Sequence, residues 1–187
     1  MTSPIRINCE STTKIPPLEE LQEVASSGHH VVLQFPGRVE KDALILQLSA
    51  ALPDHSVFDS GGNSTTDWVT VMPVVARETV LAHAPEIRAA VAAYIETCST
   101  MITKYEEGSL SDQWSSARHG GHRRFENRST GQVIEAPLCS DPDPSQVDPY
   151  FFAVFVKSTS GLEVVAEMLN NDFHDAYRML DILFGET

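Results

Sequence analysis

Residues 78–105, ETVLAHAPEIRAAVAAYIETCSTMITKY, decide the fold that this sequence can adopt. Apolar side chains recur along this segment in alternating steps of four and three residues, which is the spacing of one face of a helix. The positions are Val80, Ala84, Ile87, Val91, Tyr94, Cys98, Met101 and Tyr105. The repeat predicts one long helix with a continuous apolar face, which we call the seam.

Two structures could bury the seam. One is a coiled-coil dimer along Val80 to Tyr105, and the other is a central helix packed inside a single chain. Ala84, Cys98 and the two tyrosines are poor residues for a two-stranded zipper, in which branched aliphatic side chains pack best. We therefore expect a central helix, and a structural dimer through the seam remains the alternative.

On the N-terminal side of the seam, the pattern predicts an arm followed by alternating strands and helices. Residues 1–17 are polar and end in two prolines, so we expect a flexible N-terminal arm there. After it we expect a helix over 18–25, a strand over 30–35, a helix over 40–52, and strands over 56–59 and 68–75.

On the C-terminal side, residues 114–138 predict a β-hairpin, because charged residues alternate with Phe125 and Asn127 over 124–128 and NRSTGQ supplies a turn before Val133 and Ile134. A helix should follow Asp148 and Pro149, with a strand as the alternative, and two further helices should cover 162–169 and 173–184. The fold class is therefore α+β, with a small mixed or antiparallel sheet packed against a long central helix and C-terminal helices. We expect one domain over 18–187, with a subdomain boundary near residue 77 as the alternative.

The charge of the chain favours some partners over others. Thirteen Lys and Arg against twenty-six Asp and Glu give a net charge of −13 in 187 residues. This charge repels phosphate backbones and anionic membranes, so we expect neither nucleic acid nor membrane as a partner. A basic protein is the partner that the charge favours, although acidity can also serve only to keep a protein dispersed.

The cysteines and the missing motifs indicate a reducing compartment and no cofactor. Cys9, Cys98 and Cys139 are an odd number without CxxC spacing, and no signal or membrane segment is evident, so we expect a soluble cytoplasmic protein. HExxH, GxSxG and phosphate-loop patterns are missing. Cys139, Asp141 and Asp143 could bind a metal only if the fold brought further ligands to them, so no metal is predicted.

The sequence RHGGHRR, residues 118–124, is the richest candidate for chemistry. If the chain is an enzyme, it would be a hydrolase or transferase on an anionic small molecule. A histidine would act as general base and the arginines would hold the anion. The catalytic residues would then be His119, His122, Arg118, Arg123 and Arg124. The alternative is a Gly-Gly turn with solvated charges.

A third group of residues fits a partner-binding surface, because aromatic side chains among carboxylates can anchor a basic protein. The candidates are Glu106, Glu107, Asp112, Trp114, Asp141 and Asp143.

The C-terminal part of the chain resembles a group of uncharacterised bacterial proteins. The resemblance rests on SDQWSSARHGGHRRFENRSTGQVIEAPL, then DPYFFAVFVKST, then FHDAYRMLDIL, within residues 111–183. Some proteins of that group look like immunity proteins of polymorphic toxin systems. The resemblance implies a stoichiometric inhibitor that stays in the producing cell and blocks a secreted toxin, and it implies no catalytic residues. The leading hypothesis from the sequence is thus an acidic binding protein that neutralises a basic toxin.

Overall fold

The computed structural model describes residues 4–27, 29–137 and 143–185. Within them, 45% helix and 26% strand form seven helices and two sheets, which confirms the predicted α+β class. The chain divides into two compact units, Met1–Val74 and Val75–Thr187, which we call unit 1 and unit 2. In the described residues, no helix combines the length and the apolar character needed to cross a membrane.

Unit 1 consists of a four-stranded sheet and two helices. Its elements are β1 (Ile5–Asn8), α1 (Leu18–Ser26), β2 (Val31–Pro36), α2 (Asp42–Ala51), β3 (His55–Gly62) and β4 (Thr66–Pro73). The strand order is β1-β2-β4-β3, with β1 parallel to β2 and all other neighbours antiparallel. Because α1 connects the parallel pair, β1, α1 and β2 form a β-α-β unit.

The core of unit 1 lies between this sheet and the two helices. Alternate residues of β2 are buried, as the period of a strand requires. The buried apolar side chains of the core come from β2, β4 and both helices. They include Leu21, Ala25, Val31, Leu33, Phe35, Leu44, Leu48, Leu52, Val69 and Val71.

The N-terminal segment differs from the flexible arm expected over 1–17, because Ile5–Asn8 forms strand β1. Its backbone pairs with β2: the Ile5 amide donates to the His30 carbonyl and the Cys9 amide donates to the Gln34 carbonyl, each at 2.8 Å. β1 is held mainly by these backbone hydrogen bonds, and only Ile7 of the short alternating sequence IRIN packs against the core of unit 1.

Unit 2 consists of a three-stranded antiparallel sheet and five helices among the described residues. Its elements are α3 (Arg77–Ala82), α4 (Ala84–Glu106), β5 (Trp114–His119), β6 (His122–Asn127), β7 (Val133–Pro137), a 3-10 helix (Pro144–Gln146), α5 (Pro149–Ser158), α6 (Glu163–Met168) and α7 (Phe173–Phe184). The strand order is β5-β6-β7, and the turn that the sequence predicted at NRSTGQ joins β6 to β7.

The predicted seam helix is two helices in the structure, which break at His83. The break has a local cause in Pro85, whose ring nitrogen cannot donate the backbone hydrogen bond that a helix interior requires. Proline is tolerated in the first turn of a helix, so α4 starts at Ala84 with Pro85 in that turn. The prediction of one continuous helix over 78–105 was wrong at this point.

The seam itself lies in the core of unit 2. Its residues from Val80 to Met101 are buried, and most of them pack against apolar side chains of β6, β7, α5, α6 and α7. The seam is therefore covered by the chain's own residues, as the central-helix interpretation expects. From Val80 to Met101, the seam leaves no exposed apolar stripe that a second copy could bind. The structure therefore offers no support for the alternative of a dimer through the seam.

The segment after Asp148 is a helix, not the alternative strand. The Asp148 side chain accepts hydrogen bonds from the amides of Tyr150 at 2.9 Å and Phe151 at 3.3 Å, which caps the first turn of α5. Pro149 occupies the first helical position, where its missing donor costs nothing.

Candidate functional site

The β5–β6 hairpin separates the residues that the enzyme hypothesis requires to be together. In its register Arg118 lies opposite Arg123, and His119 lies opposite His122. Opposite residues of an antiparallel pair point to the same side, and successive residues point to opposite sides. Arg118 and Arg123 therefore lie on one face of the sheet, whereas His119, His122 and Arg124 lie on the other.

Each arginine of this hairpin also has its own partner. Arg118 Nε lies 3.5 Å from the Gly120 carbonyl oxygen, so this side chain folds back on the turn. The Arg123 guanidinium lies 3.9 Å from the centroid of the Tyr105 ring, a cation–π contact. The structure therefore does not bring the three arginines of the expected anion clamp to one point.

The two histidines of the hairpin lie in different surroundings. The His119 side chain is 71% exposed. The half-buried His122 ring packs against Phe151, with ring centroids 5.2 Å apart. His122 also lines an enclosed cavity of about 10 Å³ together with Tyr94, Cys98 and Asp148. A cavity of that size has room for about one water molecule, not for a small-molecule substrate.

Glu135 of β7 lies on the same face of the sheet as the two histidines and was not among the residues predicted from the sequence. It is only 3% exposed. Its Oε1 lies 3.2 Å from Arg124 Nη1 and 3.8 Å from His119 Nδ1, whereas Oε2 has no hydrogen-bond partner among the described residues. The signal in the sequence was one carboxylate within the apolar run VIEAP. The register that places it opposite Arg124 was not visible there.

The backbone of Glu135 is also fixed from α4. The Tyr94 hydroxyl donates a 2.6 Å hydrogen bond to the Glu135 carbonyl oxygen. Burial raises the pKa of Tyr94 far above its ordinary value, so this hydroxyl remains a donor at any physiological pH.

The acidic residues proposed as partner-binding are exposed, but basic groups lie among them. Glu106, Glu107 and Asp112 are exposed on the segment between α4 and β5. Arg128 Nη1 lies 3.5 Å from the Asp112 carbonyl oxygen, and the Arg128 amide donates to the Gln113 carbonyl at 2.8 Å. Trp114 is half buried and packs against the core of unit 2. This segment is therefore a mixed surface rather than an isolated acidic one.

The remaining sequence candidates lie just before α5. Asp143 is exposed and caps the 3-10 helix by accepting from the Ser145 amide at 2.8 Å and the Ser145 hydroxyl at 2.6 Å. These hydrogen bonds, that of the hydroxyl first, lower the pKa of Asp143. Asp141 and Cys139 lie outside the described residues. In the part of the chain that the structure describes, no three His, Cys, Asp or Glu side chains are placed to hold a metal ion.

A groove with a mostly apolar lining runs along α7 in unit 2. It measures about 540 Å³. One wall is a stripe of α7, and the other comes from the 3-10 helix and the start of α5. The described lining residues are Ser145, Val147, Pro149, Phe173, Tyr177, Leu180, Asp181, Phe184 and Gly185. Phe173 is 41% exposed and Tyr177 is 57% exposed, with ring centroids 6.3 Å apart.

The groove belongs to an acidic unit. Positions 75–187 contain seventeen Asp and Glu against nine Lys and Arg, a net charge of −8. Of the nine described residues that line the groove, Asp181 is acidic and none is basic. Adjacent exposed aromatic side chains in a monomer are typical of protein-binding sites.

Unit 1 contains a second cleft, of about 630 Å³, with a polar lining. At its floor the ammonium of Lys41, which is 8% exposed, lies 2.6 Å from Asp59 Oδ1 and 2.6 Å from Asp67 Oδ1. Burial opposes the charge of Lys41, but hydrogen bonds to the two carboxylates outweigh it and raise its pKa. The same hydrogen bonds lower the pKa of Asp59 and of Asp67. The three groups fix the start of α2 to the β3–β4 hairpin.

Comparison with known proteins does not identify the chain, since no family model, curated protein or solved structure matches it. The candidate site must therefore be chosen on its own geometry. The groove along α7 combines volume, exposed aromatic side chains and an acidic environment, whereas the cavity that His122 lines among the described residues holds about one water molecule.

Proposed function

We propose that the chain is a binding protein for a basic protein partner and that unit 2 carries the contact surface. The observation that carries this proposal is the groove along α7, with Phe173 and Tyr177 exposed next to each other in a unit of net charge −8. Aromatic residues at the centre of a contact patch contribute most of the binding energy of protein interfaces. The acidic surroundings would speed the encounter with a basic partner and select against acidic ones.

The finer form of the proposal is an immunity protein in the cytoplasm of a bacterium. It would neutralise a basic toxin by covering the toxin's functional surface, one copy to one. Its support is the resemblance within residues 111–183 together with the net charge. Blocking of this kind needs no catalytic group, and the divergent arginines of the hairpin are compatible with that.

The test is capture of the tagged full-length protein from its native cells with a matched pair of variants. Tyr177→Ser shortens the most exposed aromatic side chain of the groove. Val164→Ser is the control, because Val164 is a similarly exposed apolar residue of unit 2, at 47%, and does not line the groove. We expect a basic protein to co-purify at equal stoichiometry with the wild type and Val164→Ser but not with Tyr177→Ser, and 0.5 M salt to weaken its retention.

Circular dichroism of both variants should match that of the wild type, because each substitution is at an exposed position. If wild type, Tyr177→Ser and Val164→Ser capture the same proteins, the groove is not the contact surface. If no basic protein is retained by the wild type at any salt concentration, the proposed function fails as a whole.

A further inference from the structure

The apolar side chains of α7 that line the groove have the spacing of a face with which helices pack on one another. Phe173, Tyr177, Leu180 and Phe184 follow one another in steps of four, three and four residues. This is the repeat with which one helix packs along another, at about 20° to it. Leu180 is buried within unit 2, but Phe173 and Tyr177 are exposed at the N-terminal end of the stripe. The groove therefore offers three turns of a helix face that unit 2 covers only in part.

We infer that the groove along α7 receives an amphipathic helix of the partner, with apolar side chains on one face and Lys or Arg on the flanks. The inference rests on the proposed function and adds the form and chemistry of the segment that binds. Helices that lie in an apolar groove with their polar flanks in water are a recurring mode of peptide recognition.

The architecture of the groove argues against an added strand. Its walls are α7, the 3-10 helix and the first residue of α5, and no residue of β5, β6 or β7 lines it. A strand binds by pairing its backbone with an exposed sheet edge, which these walls do not provide. Proline-rich segments also bind aromatic grooves, so they are the competing form that an experiment must separate.

The charges around the groove indicate which polar residues the partner helix would carry on its flanks. Asp181 lies in the groove, and Asp143 binds Ser145 of the opposite wall through its carboxylate. One carboxylate thus lines the groove and another is bonded to a residue of the opposite wall, and none of the described lining residues carries a positive charge. A second copy of this chain would bring another Asp181 toward the first, which like-charge repulsion opposes. Lys or Arg on the partner helix would pair with these acids.

The experiment uses three fluorescein-labelled synthetic peptides and the full-length protein. The first is an amphipathic helix of about 14 residues with a leucine seam and lysine flanks. The second has glutamate in place of each lysine, and the third is the lysine peptide with two central prolines that break the helix. Fluorescence anisotropy should show binding of the first peptide and at least tenfold weaker binding of the other two.

Variants of the protein then locate the binding. Tyr177→Ser should weaken binding of the lysine peptide about tenfold, because it removes the most exposed contact of the groove. Asp181→Asn should weaken it about threefold and reduce its dependence on salt concentration. Val164→Ser should leave the affinity unchanged.

Several results would overturn the inference while leaving the proposed function in place. The proline peptide could bind as well as the helical one, which would indicate an extended segment. All three peptides could fail although a basic protein is captured through Tyr177, which would exclude a simple helix. Sedimentation could reveal a dimer that Tyr177→Ser dissociates, and the groove would then hold a second copy. Failure of capture itself, in contrast, would remove the proposed function.

Discussion

Both units bury charged side chains, and Lys41 of unit 1 and Glu135 of unit 2 differ in how fully their charges are compensated. In unit 1, the Lys41 ammonium lies within 2.6 Å of two carboxylates. In unit 2, the Glu135 carboxylate uses one oxygen for Arg124, while the other has no partner among the described residues. The comparison teaches that burial alone does not reveal the role of a charge. We expect that a fully paired group fixes elements of the fold, whereas a half-paired one tolerates replacement.

The largest expected effect is on Lys41. Lys41→Met should reduce the free energy of unfolding by about 3 kcal/mol, because it leaves the carboxylates of Asp59 and Asp67 next to each other without a cation. The free energy of unfolding of unit 1 is measured by urea titration of the full chain in a Trp114→Phe background, with the fluorescence of Trp68 as the signal. Lys14→Ala is the control, since Lys14 pairs only with the exposed Glu10, and it should change stability by less than about 0.5 kcal/mol. Equal effects of the two substitutions would refute the role given to Lys41.

The next effect distinguishes the contributions of Arg124 and Glu135, which form an ion pair. Arg124→Met should destabilise the protein by about 1–2 kcal/mol, because it leaves Glu135 buried and charged; the value is reduced because Arg124 is 44% exposed. Glu135→Gln should cost less than about 0.5 kcal/mol, because the amide oxygen can still accept from Arg124 and no charge is buried. Urea titration of Trp114 fluorescence in a Trp68→Phe background measures both. A larger cost for Glu135→Gln than for Arg124→Met would show that Glu135 is as tightly required as Lys41.

The smallest effect is a difference in pH dependence. Hydrogen bonds to Lys41 lower the pKa of Asp67 in the folded state, so its contribution is present above about pH 4 and is lost as the pH falls below that value. In unit 2, burial raises the pKa of Asp175, although its carboxylate accepts from the amides of Val75 at 2.7 Å and Asn171 at 2.6 Å. The contribution of Asp175 is therefore present below about pH 4 and is lost as the pH rises through its folded pKa.

Asp67→Asn and Asp175→Asn test these opposite signs. Urea midpoints of the full chain are measured between about pH 3 and pH 6. On acidification, the difference in urea midpoint by which the wild type exceeds Asp67→Asn should shrink. The urea midpoint of the wild type relative to that of Asp175→Asn should rise. Parallel changes for both variants would mean that the two carboxyls are not in the contrasting environments described above.

The sequence predicted those elements whose signal is local. β2 and α2 carry the periods of a strand and a helix, and Asp148 with Pro149 marks the start of α5 within two residues. The break at His83 was equally local, because Pro85 is visible in the sequence, but the regular seam outweighed it. β1 was missed because it is four residues long and depends chiefly on pairing with β2, a segment more than twenty residues away along the chain.

The candidate site was less predictable than the fold. The divergence of Arg118 and Arg123 from Arg124 follows from strand alternation, once the hairpin register is known. The partners of Lys41 and Glu135 lie far from them or on another strand, so only the fold brings them together. The groove along α7 was missed because its walls come from two separate segments, although the stripe on α7 is itself local.

The position of β1 affects the tendency of the chain to aggregate during its synthesis. β2 (VVLQFP) is almost wholly apolar, and β1 covers the edge that β4 does not. Without residues 5–8, that edge would present unpaired amides and carbonyls beside apolar side chains, which is a template for aggregation between chains. Strand β1 (IRIN) covers this edge of β2. Because β1 leaves the ribosome before β2, it can pair with the edge of β2 as soon as β2 emerges.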